Sequence, residues 1–190
     1  MNKRKFWRIF KSYFTFGIRG WFIEISIKTN PYLPKGTIID IETTGLKPRL
    51  DNIVTMGLYK DDRITIFQLV KPQYDRFWNL CHRIAQKQPR PLYAYAAHFE
   101  RDFLKIPNGW KDLTRYYQTH DDYYDYYSTR RFRLIDITSY PYESQADYDI
   151  DGKDVPKKWA EWIFDKNLRS LMEIAYHNYV DLSRERQLIQ

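Results

Sequence analysis

Two carboxylates stand two residues apart at the end of an apolar run, within residues 38–46. Because side chains alternate along a strand, Asp40 and Glu42 are expected on one face, with the isoleucine between them pointing into the core. Two like charges this close are unfavourable unless a cation or a proton offsets them. Carboxylate oxygens suit Mg²⁺ or Mn²⁺, so the pattern indicates a divalent-metal site.

A polar turn follows the two acids. Thr43, Thr44 and Gly45 favour a tight turn whose backbone N–H groups and hydroxyls can meet a phosphate. The alternative is an ordinary strand that ends in a polar turn. The whole run Asp-Ile-Glu-Thr-Thr-Gly resembles the first motif of the DEDD exonucleases, a branch of the ribonuclease H-like superfamily.

This resemblance implies roles for individual residues. In that family the Asp and Glu of the motif bind two divalent metal ions, which implies Asp40 and Glu42 as ligands of two Mg²⁺ or Mn²⁺ ions. It also implies that Thr43, Thr44 and Leu46 hold the terminal nucleotide of the substrate. Two further acids from later motifs complete the site in the family.

The second family motif follows a core strand and opens a helix. Residues 91–97 predict a strand, and the residues from His98 onward predict a helix. Ala96 stands where the family usually has Asn, which predicts the loss of a polar contact near the substrate.

Two acids in this helix compete for the third ligand position. If Glu100 is the ligand, Phe103 and Leu104 fall three and four residues later, the spacing that packs a first helical turn onto a sheet. If Asp102 is the ligand, Leu104 comes too early. The spacing favours Glu100, and the other acid is interpreted as stabilising the positive end of the helix.

The fourth acid is expected on a C-terminal helix, because residues 168–188 carry apolar side chains at helical spacing. Asp181 lies near that apolar face, and His177, four residues earlier, can converge with it on one water molecule.

In the exonuclease family the last Asp follows a Tyr by four residues or a His by five, and that residue orients or deprotonates the attacking water. Here His177 has the Tyr spacing and Tyr176 the His spacing, while His-Asn-Tyr-Val-Asp resembles the ending of a less studied ribonuclease H-like group. Either residue is a candidate helper, and His177 would act as a base with a pKa around 6 to 7. The alternative interpretation of His177 is a core or surface histidine without a catalytic role.

The charge of the chain favours an anionic partner. Lysine and arginine number 31 against 24 acidic residues, a formal charge of +7. An enzyme that holds a phosphate backbone beside carboxylates benefits from this surplus, so nucleic acid is the predicted partner.

Aromatic residues make up 18% of the chain and offer stacking surfaces for unpaired bases, although a wet core explains many tyrosines equally well. No feature predicts a protein partner.

The cysteine count bears on the cellular compartment. The single Cys81 excludes an intramolecular disulfide and a cysteine-rich zinc site, which predicts a reducing, cytoplasmic location. No apolar run approaches membrane-spanning length, so no membrane partner is expected.

The N-terminal segment, residues 1–35, differs in composition from residues 36–190. Basic residues alternate with aromatic ones, and the spacing of Phe6, Phe10 and Tyr13 fits an amphipathic helix. Three interpretations stay open: a helix packed on the domain, which is favoured, a basic arm that touches nucleic acid, or a membrane-surface helix. Residues 20–27 then read as a strand.

Other elements follow from pattern. Residues 52–59 and 63–70 predict a hairpin, and residues 73–88 predict a helix. Residues 116–127 form a tyrosine-rich acidic run before a strand at 134–137, where Asp136 is interpreted as structural. Residues 140–158 predict an exposed loop.

Together these patterns predict one α/β domain of the ribonuclease H-like type, a mixed sheet flanked by helices. The resemblance implies a metal-dependent 3′–5′ exonuclease of single-stranded DNA or RNA, with ligands Asp40, Glu42, Glu100 and Asp181. Two rival interpretations are an endonuclease of the same superfamily that cuts hybrid or branched nucleic acid and an inactive nucleic-acid-binding module.

Overall fold

A seven-stranded mixed sheet organises the computed structural model, which describes residues 14–18, 20–29, 35–116, 138 and 149–189. Its order is β1-β2-β5-β4-β3-β6-β7, and the pairs β3–β6 and β6–β7 are parallel while the others are antiparallel. The strands are β1 (Phe14–Ile18), β2 (Phe22–Lys28), β3 (Thr37–Thr43), β4 (Ile53–Lys60), β5 (Arg63–Leu69), β6 (Leu92–Ala94) and β7 (Trp110–Asp112).

Helices cover both faces of the sheet, which confirms the predicted α/β arrangement. The α-helices are α1 (Tyr74–Gln86), α2 (His98–Leu104), α3 (Val155–Asp165) and α4 (Leu168–Glu185), and short 3₁₀ turns span Leu113–Tyr116, Gly152–Asp154 and Arg186–Leu188. The hairpin β4–β5 and helices α1, α2 and α4 occur where the sequence predicts them.

Strand β3 is buried along its whole length. Ile39 and Ile41 pack in one apolar cluster with Phe77 of α1, whereas Ile38 packs in a second cluster with Ala175 and Leu182 of α4. Side chains two residues apart in a strand share a face, so Asp40 and Glu42 lie on the same side as Ile38, the side that α4 covers. They are therefore held inside the protein rather than on an open face.

Glycine at position 57 lets α4 approach the sheet. Gly57 lies opposite Asp40 in the β3–β4 pairing, and a Cβ there would collide with Oδ1 of Asn178 and with Leu182. The absence of a side chain thus permits the close contact between helix and strand.

The strand predicted over residues 91–97 is shorter in the structure, where β6 covers Leu92–Ala94. Two departures end it: the N–H of Tyr95 donates to Oε1 of Glu185 (2.8 Å), and Ala96 has φ 63°. A residue with positive φ cannot continue an extended strand.

The loop predicted over residues 140–158 is wrong for its last four residues, because α3 begins at Val155. Pro156 lies at the start of this helix, where proline is favoured because its missing N–H is not needed there. The proline therefore marks a helix start, not a loop.

Several predictions lie outside the described residues. They are the N-terminal helix with Phe6, Phe10 and Tyr13, the tyrosine-rich run after Tyr116, the strand at 134–137 with Asp136, and residues 140–148 of the predicted loop. Within the described part, β1 and β2 extend the sheet beyond β5, and β2 falls within the strand predicted over 20–27 except for its last residue. No helix in this part has the length and apolarity needed to cross a membrane, and the cytoplasmic location stays a prediction.

Candidate metal centre

The structure brings the acids of three sequence motifs to the edge of the sheet where β3 ends. Strand β3 supplies Asp40 and Glu42, α2 supplies Glu100, and α4 supplies Asp181. The first three are buried, and the side chain of Asp181 is 23% exposed. Their mutual repulsion contributes to the raised pKa of Asp40, so the carboxylates form one electrostatic group.

Helix α4 orients Asp40 directly. The Nδ2 group of Asn178 donates to Oδ2 of Asp40 (2.6 Å) and to the backbone oxygen of the same residue (3.1 Å). Asn178 is fully buried, and it follows His177 in the sequence. The motif around His177 contains this asparagine, but nothing in the local sequence indicates its contact with Asp40.

A three-residue cluster lies beside Asp40. One ligand atom each of Glu42, His177 and Asp181 lies within 4.8 Å of the others. Nε2 of His177 is 3.9 Å from Oε1 of Glu42 and 3.6 Å from Oδ2 of Asp181. The predicted convergence of His177 and Asp181, four residues apart on a helix, therefore occurs.

His177 is held from its other nitrogen by an acid that the sequence analysis did not select. Nδ1 of His177 donates to Oδ1 of Asp149 (2.8 Å), whose side chain is only 5% exposed. Arg184 lies near both Asp149 and Asp181, with N–O distances of 3.7 and 3.6 Å. Asp149 falls in the segment that was predicted as an exposed loop, so the sequence around it did not indicate its buried contact with His177.

The protonation of His177 differs from the expectation of a pKa around 6 to 7. Burial lowers its pKa, but the carboxylates of Asp181, Glu42 and Asp149 outweigh burial and raise it to about 10. Without another cation at the site, His177 is therefore an imidazolium that offsets the carboxylates rather than a base.

The alternative helper Tyr176 occupies a different surface of α4. It is buried, and its ring lies 6.0 Å from the ring of Tyr179, centroid to centroid. Adjacent helical residues point about 100° apart, so Tyr176 and His177 do not share a direction.

The two competing acids of α2 have different environments. Glu100 is 3% exposed, and its Oε2 has no hydrogen-bond partner among the described residues. The side chain of Asp102 is 52% exposed and pairs with Arg101 (3.0 Å). Phe103 and Leu104 are buried, as the Glu100 register predicts, so the structure turns Glu100 toward the acids and Asp102 toward the surface.

One further buried acid, Glu185, belongs to the same group. It lies four residues after Asp181 on α4 and is 1% exposed, and its Oε2 has no hydrogen-bond partner among the described residues. Burial raises its pKa well above the usual range, and the charge of Glu100 raises it further. Its spacing on the helix, one turn after Asp181, was a signal in the sequence that could have identified it.

The donor set fits divalent cations. Burial raises the pKa of Asp40 and of Glu100 well above the usual range and that of Glu42 to about 7. Burying several carboxylates together is unfavourable unless protons or cations offset their charge. Oxygen ligands with buried, unpartnered atoms such as Oε2 of Glu100 meet the requirement of Mg²⁺ or Mn²⁺.

The predicted substrate-binding residues lie at the end of β3, where Thr43 is the last residue, and in the hydrogen-bonded loop that follows. The Thr43 hydroxyl donates to the backbone oxygen of Gly45 (2.6 Å), and Oγ1 of Thr44 accepts from the N–H of Asn52 (2.9 Å). Both hydroxyls therefore hold the loop in shape. Leu46, by contrast, is 81% exposed.

An interior strand of the mixed sheet carries two buried carboxylates near its end, and further acids lie on α2 and α4, so the structure gathers the oxygen ligands that divalent cations prefer. Residues 37–190 match the family model described as RNase_H superfamily, so the chain belongs to that superfamily. This membership confirms the predicted ribonuclease H-like fold and supports hydrolysis of nucleic acid with divalent metal ions.

A similar protein occurs in Methanocaldococcus jannaschii, where it is called uncharacterized protein MJ0365. It is 24% identical over 161 residues, which cover 80% of this chain and 91% of the relative. No solved structure matches the chain significantly.

Proposed function

We propose that this protein is a metal-dependent exonuclease that removes nucleotides from the 3′ end of single-stranded DNA or RNA. The observation that carries the proposal is the buried group of carboxylates from β3, α2 and α4, which needs cations to be stable when ionised. The 3′ polarity and the single-stranded substrate rest on the resemblance of residues 40–46 to the first DEDD motif.

Four acids would hold the metal ions: Asp40, Glu42, Glu100 and Asp181. Two bound Mg²⁺ or Mn²⁺ ions would act as Lewis acids that activate the attacking water and stabilise the leaving oxygen. Asn178 fixes the orientation of Asp40, so the ligand geometry is set before substrate arrives.

His177 would orient or deprotonate the attacking water through Nε2, because Nδ1 is hydrogen-bonded to Asp149. It can accept a proton only when neutral, which requires that the charges of Glu42 and Asp181 be offset, since they raise its pKa. Asp149 acts as a positioning residue that keeps Nε2 facing these two acids.

The direct test uses single-stranded DNA and RNA oligonucleotides that carry a 5′ label, incubated with increasing Mg²⁺ or Mn²⁺. A ladder that shortens from the 3′ end and an intact circular single strand are expected. Cleavage of the circle would assign an endonuclease instead, and no metal-dependent cleavage of any substrate would reject the nuclease function.

The matched variants are Asp40→Asn in the site and Asp61→Asn at the exposed β4–β5 turn. The first should abolish cleavage and the second should not change it. Wild-type cleavage by Asp40→Asn would reject the metal-site hypothesis.

A further inference from the structure

An open groove of about 1540 Å³ lies between the loop that follows β3 and the end of α2. We call it the basic groove. One side presents Leu46, Lys47, Arg49 and Leu50, and the other presents Arg101 and Lys105.

The basic groove is joined in sequence to the candidate metal centre on both sides. Leu46 follows Glu42 by four residues, and Arg101 directly follows Glu100. The elements that position the acids therefore also form the walls of the groove.

The groove is electropositive. Four cations line it against one acid, Asp102, which pairs with Arg101 (3.0 Å). Lys105 lies with Nζ 5.0 Å from the ring centroid of Trp78, which supports its long side chain. Clustered cations beside an acidic centre suit a polyanion that must approach carboxylates.

Two exposed leucines stand among these cations. Leu46 is 81% exposed and Leu50 is 73% exposed. Their loop is ordered by its own hydrogen bonds, since Oδ2 of Asp51 accepts from the N–H of Lys47 (2.8 Å) and Thr44 accepts from Asn52. A loop that satisfies its polar groups inward and presents leucines outward offers an apolar contact to a partner.

We propose that the basic groove binds single-stranded nucleic acid, with Lys47, Arg49 and Lys105 contacting phosphates and the two leucines packing against base faces. Base faces are available in an unpaired strand, whereas in a duplex they are stacked and covered. The inference rests on the proposed function and names where the strand lies on its way to the carboxylates.

The test measures binding of a 20-nucleotide single strand with a 5′ fluorescein label by anisotropy, in EDTA, over a series of salt concentrations. Lys47→Gln with Arg49→Gln removes two groove cations. The matched control, Lys60→Gln with Lys87→Gln, removes the same charge at the opposite end of β3, where Tyr59 pairs with Ile38 and Pro89 bonds to Thr37.

The groove variant should bind about tenfold more weakly at low salt, and its slope of log affinity against log salt should fall by about 1.4, as expected for two phosphate contacts to a single strand. The control variant should keep the wild-type slope. Equal affinity and slope in the two variants would overturn the proposal.

The leucine contribution is separable from charge. Leu50→Ser should weaken binding severalfold without changing the salt slope, because it removes apolar contact and no cation. The control is Leu168→Ser, a change at a leucine that is 59% exposed at the start of α4. Tighter wild-type binding to a 20-base-pair duplex than to the single strand, or no binding to either, would overturn the inference.

Cleavage of a labelled trinucleotide in Mn²⁺ separates this inference from the nuclease function. Cleavage that persists while groove and control variants bind alike would retain the nuclease and reject the groove. Groove-dependent binding without any cleavage would support the groove and reject the nuclease.

Discussion

Nδ2 of Asn178 lies 2.6 Å from Oδ2 of Asp40, so a helix near the C-terminus orients the first acid of the first motif across 138 residues of sequence. The same amide donates to the Asp40 backbone oxygen (3.1 Å). Gly57 makes room for this contact on the neighbouring strand. The geometry of the candidate metal centre therefore depends on how α4 packs against β3 and β4.

The first prediction concerns this hydrogen bond. Asn178→Ala should weaken Mn²⁺ binding about 10- to 100-fold, the usual cost of losing a group that orients a metal ligand. Isothermal titration calorimetry measures the affinity. The control is Asn79→Ala on the exposed surface of α1, whose amide donates to the backbone oxygen of Asp75 in the same helix. Unchanged affinity in Asn178→Ala would show that Asp40 needs no support from α4.

The second prediction separates the acids of α2. Glu100→Gln should reduce cleavage by orders of magnitude because it removes a buried carboxylate that we propose as a metal ligand, while Asp102→Asn should retain most activity because its side chain is half exposed. Both substitutions replace a carboxylate by an amide of the same size, and both positions lie on α2. The reverse ranking would assign the third ligand to Asp102.

The third prediction concerns the helper of Asp181. His177→Ala should lower turnover at saturating Mn²⁺, whereas Tyr176→Phe should not, because Nε2 of His177 lies 3.9 Å from Glu42 and 3.6 Å from Asp181, and the neighbouring Tyr176 points about 100° away around the helix. Turnover is measured on the labelled single strand. The opposite ranking transfers the role to Tyr176, and full activity of both variants removes the proposed base.

The fourth prediction concerns stability and pH. The pKa of Glu42 is raised from 4.5 to about 7 and that of His177 from 6.5 to about 10, so both groups stabilise the fold while protonated. That stabilisation is complete below their unfolded pKa values and is lost as pH rises through the folded ones. The melting temperature of the metal-free protein should therefore fall from pH 5 to pH 9.

Divalent metal should oppose this fall of the melting temperature with rising pH. If Mn²⁺ binds the ionised carboxylates as proposed, it should raise the melting temperature more at pH 9 than at pH 5. Glu185→Gln should flatten the metal-free pH dependence, because it removes a buried acid whose pKa is raised. An equal effect of Mn²⁺ at both pH values would contradict the cation site.

The fifth prediction concerns the backbone at the end of β6. Ala96 has φ 63°, a conformation that glycine adopts without cost, so Ala96→Gly should stabilise the protein by about 1 kcal/mol. Ala94→Gly, two residues earlier in the strand, should destabilise it because the buried methyl group is lost. Urea denaturation measures both. Destabilisation of similar size in the two variants would exclude strain at Ala96.

Local sequence patterns were sufficient to predict several elements and the position of the acids on them. Alternation predicted β3 and placed its two acids together, and helical spacing predicted α4 and the pairing of His177 with Asp181. Turn residues predicted the β4–β5 hairpin. These signals are local because strand and helix periods are properties of neighbouring residues.

The surroundings of these residues depend on contacts between distant segments, which become visible in the folded protein. The contacts of Asp149 with His177 and of Glu185 with Tyr95 join residues 28 and 90 positions apart, and no local period encodes them. The raised pKa of His177 likewise arises from acids on three separate segments, since charge effects depend on distance in space. The sequence thus determined which acids are present and how they alternate, while packing decided their burial, their partners and their protonation.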